Sequence, residues 1–141
     1  MKRPKAKPAV EILPEATDQP EHPRKKISSF FFAEDNGNEP VKKFLRGLTK
    51  EERQKIGADI RATEYGWPIG MPTCRNLGDG LHEVRTNLTN RIARILFRVD
   101  KTQKMVLLQG LIKKTEETPQ TDKDLANKRW SQYEEVMKNG R

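Results

Sequence analysis

The chain has 141 residues, with 28 lysines and arginines against 20 aspartates and glutamates, and a formal net charge of +8. That length supports one domain around a single core, one cysteine excludes a disulfide framework, and no stretch reaches the ~18 consecutive apolar residues of a membrane span. The start Met1-Lys2-Arg3-Pro4-Lys5 predicts no secretory leader, the lone Cys74 suits a reducing cytoplasm, and the basic balance favours polyanionic partners such as nucleic acid.

Residues 1–26 hold five of the nine prolines and only three large aliphatic side chains, Val10, Ile12 and Leu13, with no aromatic ring. So little apolar surface does not offset the entropy of ordering, which predicts a basic, proline-rich disordered tail ahead of a folded domain over 27–141. From Ile27 the run Ile-Ser-Ser-Phe-Phe-Phe-Ala, bounded by the turn cluster Asp35-Asn36-Gly37-Asn38, predicts a first strand. Pro40 then stands at a first helical position, with Val41, Phe44, Leu45 and Leu48 at helical spacing before Gly47 limits that helix to about two turns. Thr49 and Glu52 form a capping-box pattern that starts a second helix from Lys50 to about Tyr65. Its Ile56, Ile60 and Thr63 face the core, and Gly66 with Pro68 ends it.

Beyond the Trp67-Pro68-Ile69-Gly70 loop the apolar period changes from 3.6 to 2. Three strands are predicted at about 81–86, 91–99 and 104–112, joined by turns at Asn87 to Asn90 and at Asp100-Lys101-Thr102-Gln103, which makes an antiparallel meander. Met105-Val106-Leu107-Leu108 is apolar at every position, so the last of these strands is predicted to be central and covered on both faces. Thr121 caps a final helix of about fifteen residues with the stripe Leu125, Ala126, Trp130, Tyr133 and Met137. The fold class is α+β.

The middle strand is the most informative stretch. Alternation puts Arg94 and Arg98 on one face with Ile92 and Leu96, while Ala93, Ile95, Phe97 and Val99 take the other. Guanidinium groups in an apolar strand must find acceptors, and two readings stay open: phosphate oxygens, which match the fork of an arginine, or structural ion pairs with Glu83 or a helix carboxylate. Lys113 and Lys114 follow the last strand directly, where a scaffold fixes groups that a loop exposes. Arg85 and Arg91 flank the preceding turn, so a cluster of cations on one edge is expected. His82 on an alternating strand is read as structural, and Glu83 as an ion-pair partner. No Cys/His spacing suits a metal, and there is no phosphate-loop motif.

The order of strand, two-helix hairpin, three-strand meander and terminal helix, with arginines on the middle strand, resembles the RelE/ParE superfamily of bacterial toxins. More narrowly it resembles the phage-related HigB-type branch. The likeness is carried by Gly37-Asn38-Glu39-Pro40-Val41, Glu64-Tyr65-Gly66-Trp67-Pro68-Ile69-Gly70-Met71-Pro72, Leu77-Gly78-Asp79-Gly80-Leu81-His82-Glu83-Val84-Arg85, Arg91-Ile92-Ala93-Arg94 and Gly110-Leu111-Ile112-Lys113-Lys114-Thr115, and spans about 37–129.

The resemblance implies a small cytoplasmic toxin of a type II toxin-antitoxin system. Its activity would be that of a metal-independent, cofactor-free endoribonuclease that cuts messenger RNA on the ribosome and is restrained by a cognate antitoxin protein. Cleavage would proceed by attack of the RNA 2'-hydroxyl on the neighbouring phosphate. Arg94 matches the middle-strand arginine the family places at the scissile phosphate, and Lys113 and Lys114 match its basic position after the last strand. Together with Arg94 they form the expected catalytic set, with Arg85, Arg91 and Arg98 as expected RNA or phosphate contacts. The sequence departs from the family at Thr115 to Thr121, where relatives carry a tyrosine or histidine, which leaves the acid and base unassigned. Two alternatives follow: a gyrase-directed toxin of the ParE branch, and a non-catalytic nucleic-acid-binding or phage regulatory protein.

Overall fold

Period-2 alternation over residues 81–113 produces the meander it predicts. In the computed structural model, which describes residues 24–140, β3 (Leu81–Leu88), β4 (Arg91–Val99) and β5 (Lys104–Lys113) pair antiparallel in sequence order. The first strand, β1 (Ser28–Phe31), adds to β5 in parallel, with Phe30 opposite Val106. The two helices of the hairpin are α1 (Pro40–Arg46) and α2 (Lys50–Gly66), and the chain ends in α3 (Gln120–Gly140).

The structure corrects the strand count. A fifth strand, β2 (Cys74–Gly78), pairs antiparallel with β3 and completes a mixed sheet of order β1-β5-β4-β3-β2. Cys74 packs into the core on one face and Leu77 against the other, so neither face of β2 carries two apolar residues to show a period. A register shift between Asn76 and Gly78 weakens the pattern further. The last helix is also longer than expected, 21 residues, and Thr121 lies inside its first turn instead of capping it; the Pro119 carbonyl accepts from the Asp122 and Lys123 amides. The tail expected over 1–26 lies outside the described residues up to residue 23. Lys25 and Lys26 are already tied to the fold through Glu64.

Each face of the sheet has its own core. On one face Val41 of α1 and Ile56 and Ile60 of α2 pack on Val84, Ala93, Ile95, Phe97, Met105 and Leu107. On the other, Ala126, Trp130 and Tyr133 of α3 pack on Leu81, Leu96, Val106, Leu108 and Leu111. The unbroken apolar run of β5 is explained by this double cover, as predicted. A bulge at Leu108, where Leu96 opposes Gln109 but Phe97 opposes Leu107, turns Leu108 and Gln109 toward α3 together. At Gly110 the same strand meets α1 so closely that a Cβ would lie 2.5 Å from the Phe44 ring. Gly110→Ala is therefore expected to displace Phe44 and lower stability by about 1–3 kcal/mol, read as a shift in the denaturant midpoint at constant slope.

The capping box at Thr49 and Glu52 is present in both directions. At the far end of α2, Glu64 is 6% exposed and joins the helix to β1. Its carboxylate accepts from the Ser29 amide (2.8 Å) and hydroxyl (2.9 Å), with Lys25 at 3.4 Å. Burial pushes this carboxyl upward, but the Ser29 donors and Lys25 outweigh it and hold it below its ordinary value. A depressed carboxyl stabilises the fold above the unfolded value of about 4.3 and loses that contribution as pH falls through the folded one. Glu64→Gln is thus expected to destabilise most at neutral pH, the gap to wild type closing in acid, as urea midpoints at about pH 7 and about pH 3 would record.

Candidate nucleic-acid interface

On the α3 side of the sheet, beyond the first turn of that helix, the apolar core gives way to charge. Arg85 of β3 and Arg94 of β4 are directly opposed across the ladder. Like charges in that position repel, so the pair stands only because oxygens surround it. Glu83, two residues before Arg85 and fully buried, accepts from Arg85 Nη1 at 2.8 Å and from the Thr118 hydroxyl at 2.6 Å. Arg94 is fully buried as well. It donates through Nη1 to the Glu117 carbonyl at 2.7 Å and through Nη2 to the Thr115 carbonyl. Burial lowers the Arg94 pKa from the usual arginine value, with the Glu83 carboxylate acting against that shift. Its Nε is buried with no hydrogen-bond partner.

Two further groups close the cluster. Arg75, from β2, donates to the Glu116 carbonyl at 3.0 Å, and Arg85 Nη2 reaches the Glu116 carboxylate at 2.7 Å. Three guanidinium groups from three neighbouring strands therefore converge on residues 115–117, with two carboxylates among them. Lys113 and Lys114, exposed at the end of β5, lie beside this group in the chain; neither makes an ion pair among the described residues.

Of the expected set the structure brings together Arg85 and Arg94; Lys113 pairs with Ile92, two ladder positions from Arg94, and Lys114 follows it in the chain. Arg91 stands at the start of β4, ion-paired with Glu52 of α2 and partly exposed. Arg98 is set apart, four residues along β4 from Arg94, a separation of about 13 Å. It lies under α3, donates to Asn127 Oδ1 at 3.0 Å and rests over the Trp130 ring at 5.7 Å. His82 is on the opposite face, edge-on to Trp67 and stacked on Phe97, with burial holding its pKa down. The ion pairs expected of Arg94 and Arg98 are not formed: Arg94 is bound by loop carbonyls and Arg98 by Asn127, and the partner of Glu83 is Arg85.

The sequence reading missed Arg75, Glu116 and Thr118. Arg75 was hidden because its strand was; the alternation of Arg75 and Leu77 against Cys74 was the available signal. Glu116 and Thr118 lie in a segment without periodicity, and only the paired lysines before it marked the place.

Among the described residues no helix is long and apolar enough to cross a membrane. The family model for phage derived protein Gp49-like (DUF891) matches residues 43–131, more than half of the chain and the whole of the arginine cluster. No curated protein matches the sequence. The chain therefore belongs to the Gp49-like family of phage-derived proteins, a toxin-antitoxin-associated family related to RelE-type toxins.

Proposed function

We propose that this protein is the toxin of a type II toxin-antitoxin pair of the HigB kind, acting in the cytoplasm as a ribosome-dependent messenger RNA endonuclease. The observation that carries the reading is the convergence of Arg75, Arg85 and Arg94 beside the exposed Lys113-Lys114 pair. Three guanidinium forks in one place suit a phosphate whose charge grows during reaction. The reaction forms a bond from the 2'-oxygen to phosphorus and breaks the bond from phosphorus to the 5'-oxygen. The 2'-proton leaves to a base, the 5'-oxygen takes a proton, and the products end in a 2',3'-cyclic phosphate and a 5'-hydroxyl. Arg94 and Arg85 stabilise the pentacoordinate phosphate, Lys113 and Lys114 are assigned the proton transfers, and Arg91 extends the cationic edge along the RNA. Arg94 reaches a phosphate once residues 115–117 move aside. A cognate antitoxin protein is the proposed restraint on this edge.

A second reading, a non-catalytic phosphate binder, is favoured by one observation: His82, Tyr65 and Tyr133, the described histidine and tyrosines, all stand outside the cluster. Primer-extension mapping of transcripts after brief induction in a bacterium separates the two. Cuts within translated reading frames support the nuclease. Intact transcripts, with soluble folded protein present and growth arrested, favour binding; DNA breaks in place of transcript cuts would point to gyrase.

A further inference from the structure

Four of the five oxygens that these arginines grip come from one short segment of the chain, the fifth being that of Glu83. The four are the carbonyls of Thr115, Glu116 and Glu117 and the carboxylate of Glu116, supplied by three consecutive residues to three strands. Residues 113–117 are exposed. The β4 to β5 ladder ends at Lys113, and α3 begins at Gln120. Between them the segment is held chiefly from below, by the arginines and by Thr118 on Glu83.

The fit between holder and held is incomplete. Three cations face two carboxylates, most of the oxygens are neutral carbonyls, and Arg94 Nε, wholly buried, has no acceptor. A phosphodiester offers what is missing: full negative charge on oxygens spaced for a guanidinium fork, and charge-assisted bonds roughly twice as strong as those to neutral acceptors. The Glu116 side chain is 77% exposed, so its pair with Arg85 is screened and easily returned to solvent.

We infer that residues 115–117 are a built-in substitute ligand: Glu116 and the neighbouring carbonyls occupy the places of RNA phosphate oxygens, and a backbone phosphodiester displaces them. This rests on the reading of the cluster as an RNA phosphate site and adds to it a self-inhibited resting state. Glu83 and Arg85 form the fixed floor, while Thr118 is the hinge-side anchor that lets the segment lift without unravelling α3.

The test uses the full chain and a short, uncleavable 2'-O-methyl oligouridine. Glu116→Gln removes the charge that competes for Arg85, and Glu117→Gln makes the same change in net charge one residue away without touching an arginine side chain. Glu116→Gln is expected to bind the oligonucleotide roughly threefold to fivefold more tightly than Glu117→Gln, by fluorescence anisotropy at fixed salt. The 15N heteronuclear NOE values of residues 115–117 in the wild type are expected to fall once the oligonucleotide is bound, because the segment is ordered through the carbonyls that the arginines then release. Equal affinities for the two variants, or unchanged NOE values at 115–117 under saturation, would overturn the inference. Transcript cleavage with the segment still ordered in the bound state would remove the substitute ligand and leave the nuclease standing; displacement without cleavage would do the reverse.

Discussion

Replacing Arg94 with alanine is expected to lower transcript cleavage by at least about 100-fold, the scale seen when one positioned donor to a developing oxyanion is removed. The same change takes away a buried guanidinium that binds two loop carbonyls, each charged hydrogen bond being worth about 1.5–3 kcal/mol. The acceptors belong to the exposed residues Thr115 and Glu117 and regain water, which keeps the loss near the lower end of the sum, about 3 kcal/mol. Against a domain stability of about 5–15 kcal/mol that loss leaves the protein largely folded. Unfolding alone does not account for a 100-fold fall, so activity and stability separate in one variant. Arg94→Lys sharpens the separation: a lysine keeps the charge but not the fork. It should recover part of the urea midpoint and little of the cleavage.

Glu83→Ala is expected to be the most destabilising single substitution at this site. Glu83 is fully buried, and its partner Arg85 has a side chain only 7% exposed. Removing the carboxylate leaves Arg85 and Arg94 opposed across the ladder, with only the exposed Glu116 carboxylate still paired, and strands the Thr118 hydroxyl. Breaking a buried pair in this way costs about 3–5 kcal/mol. For a domain of this size the expected fall in Tm is at least about 10 °C. Glu83→Gln keeps the shape and an acceptor for one neighbour, and should fall between. Thermal unfolding of the three proteins checks the order; a Glu83→Ala variant as stable as wild type would mean that the loop oxygens alone neutralise the arginines.

The parts of the fold that were legible in the sequence are those written in one local code. The capping box at Thr49 and Glu52, Pro40 at a helix start, and alternation along β3 and β4 each act within a few residues, and each appears where expected. The double cover of β5 was legible because burial on both faces erases alternation. What stayed hidden depends on distant partners. β2 exists because β3 offers it an edge, and its own residues are too polar to announce a strand. For the site, composition and alternation located the arginines, but nothing local says whether a guanidinium binds an external phosphate or an internal carbonyl. Arg94 and Arg98 share a face and a spacing, yet α3 covers one and the 115–117 segment the other. That difference is set by the length and path of chain between β5 and α3.

If the arginine cluster serves cleavage of RNA through the 2'-hydroxyl, the reaction leaves its signature in the chemistry of the cut ends. A defined transcript is translated in a bacterial extract with the purified protein, and the termini of the fragments are determined for wild type and Arg94→Lys. Fragments with a 2',3'-cyclic phosphate and a 5'-hydroxyl are expected, produced only while ribosomes translate and nearly absent with the variant. Fragments with a 3'-hydroxyl and a 5'-phosphate, or equal cleavage by wild type and Arg94→Lys, would contradict that role for the cluster.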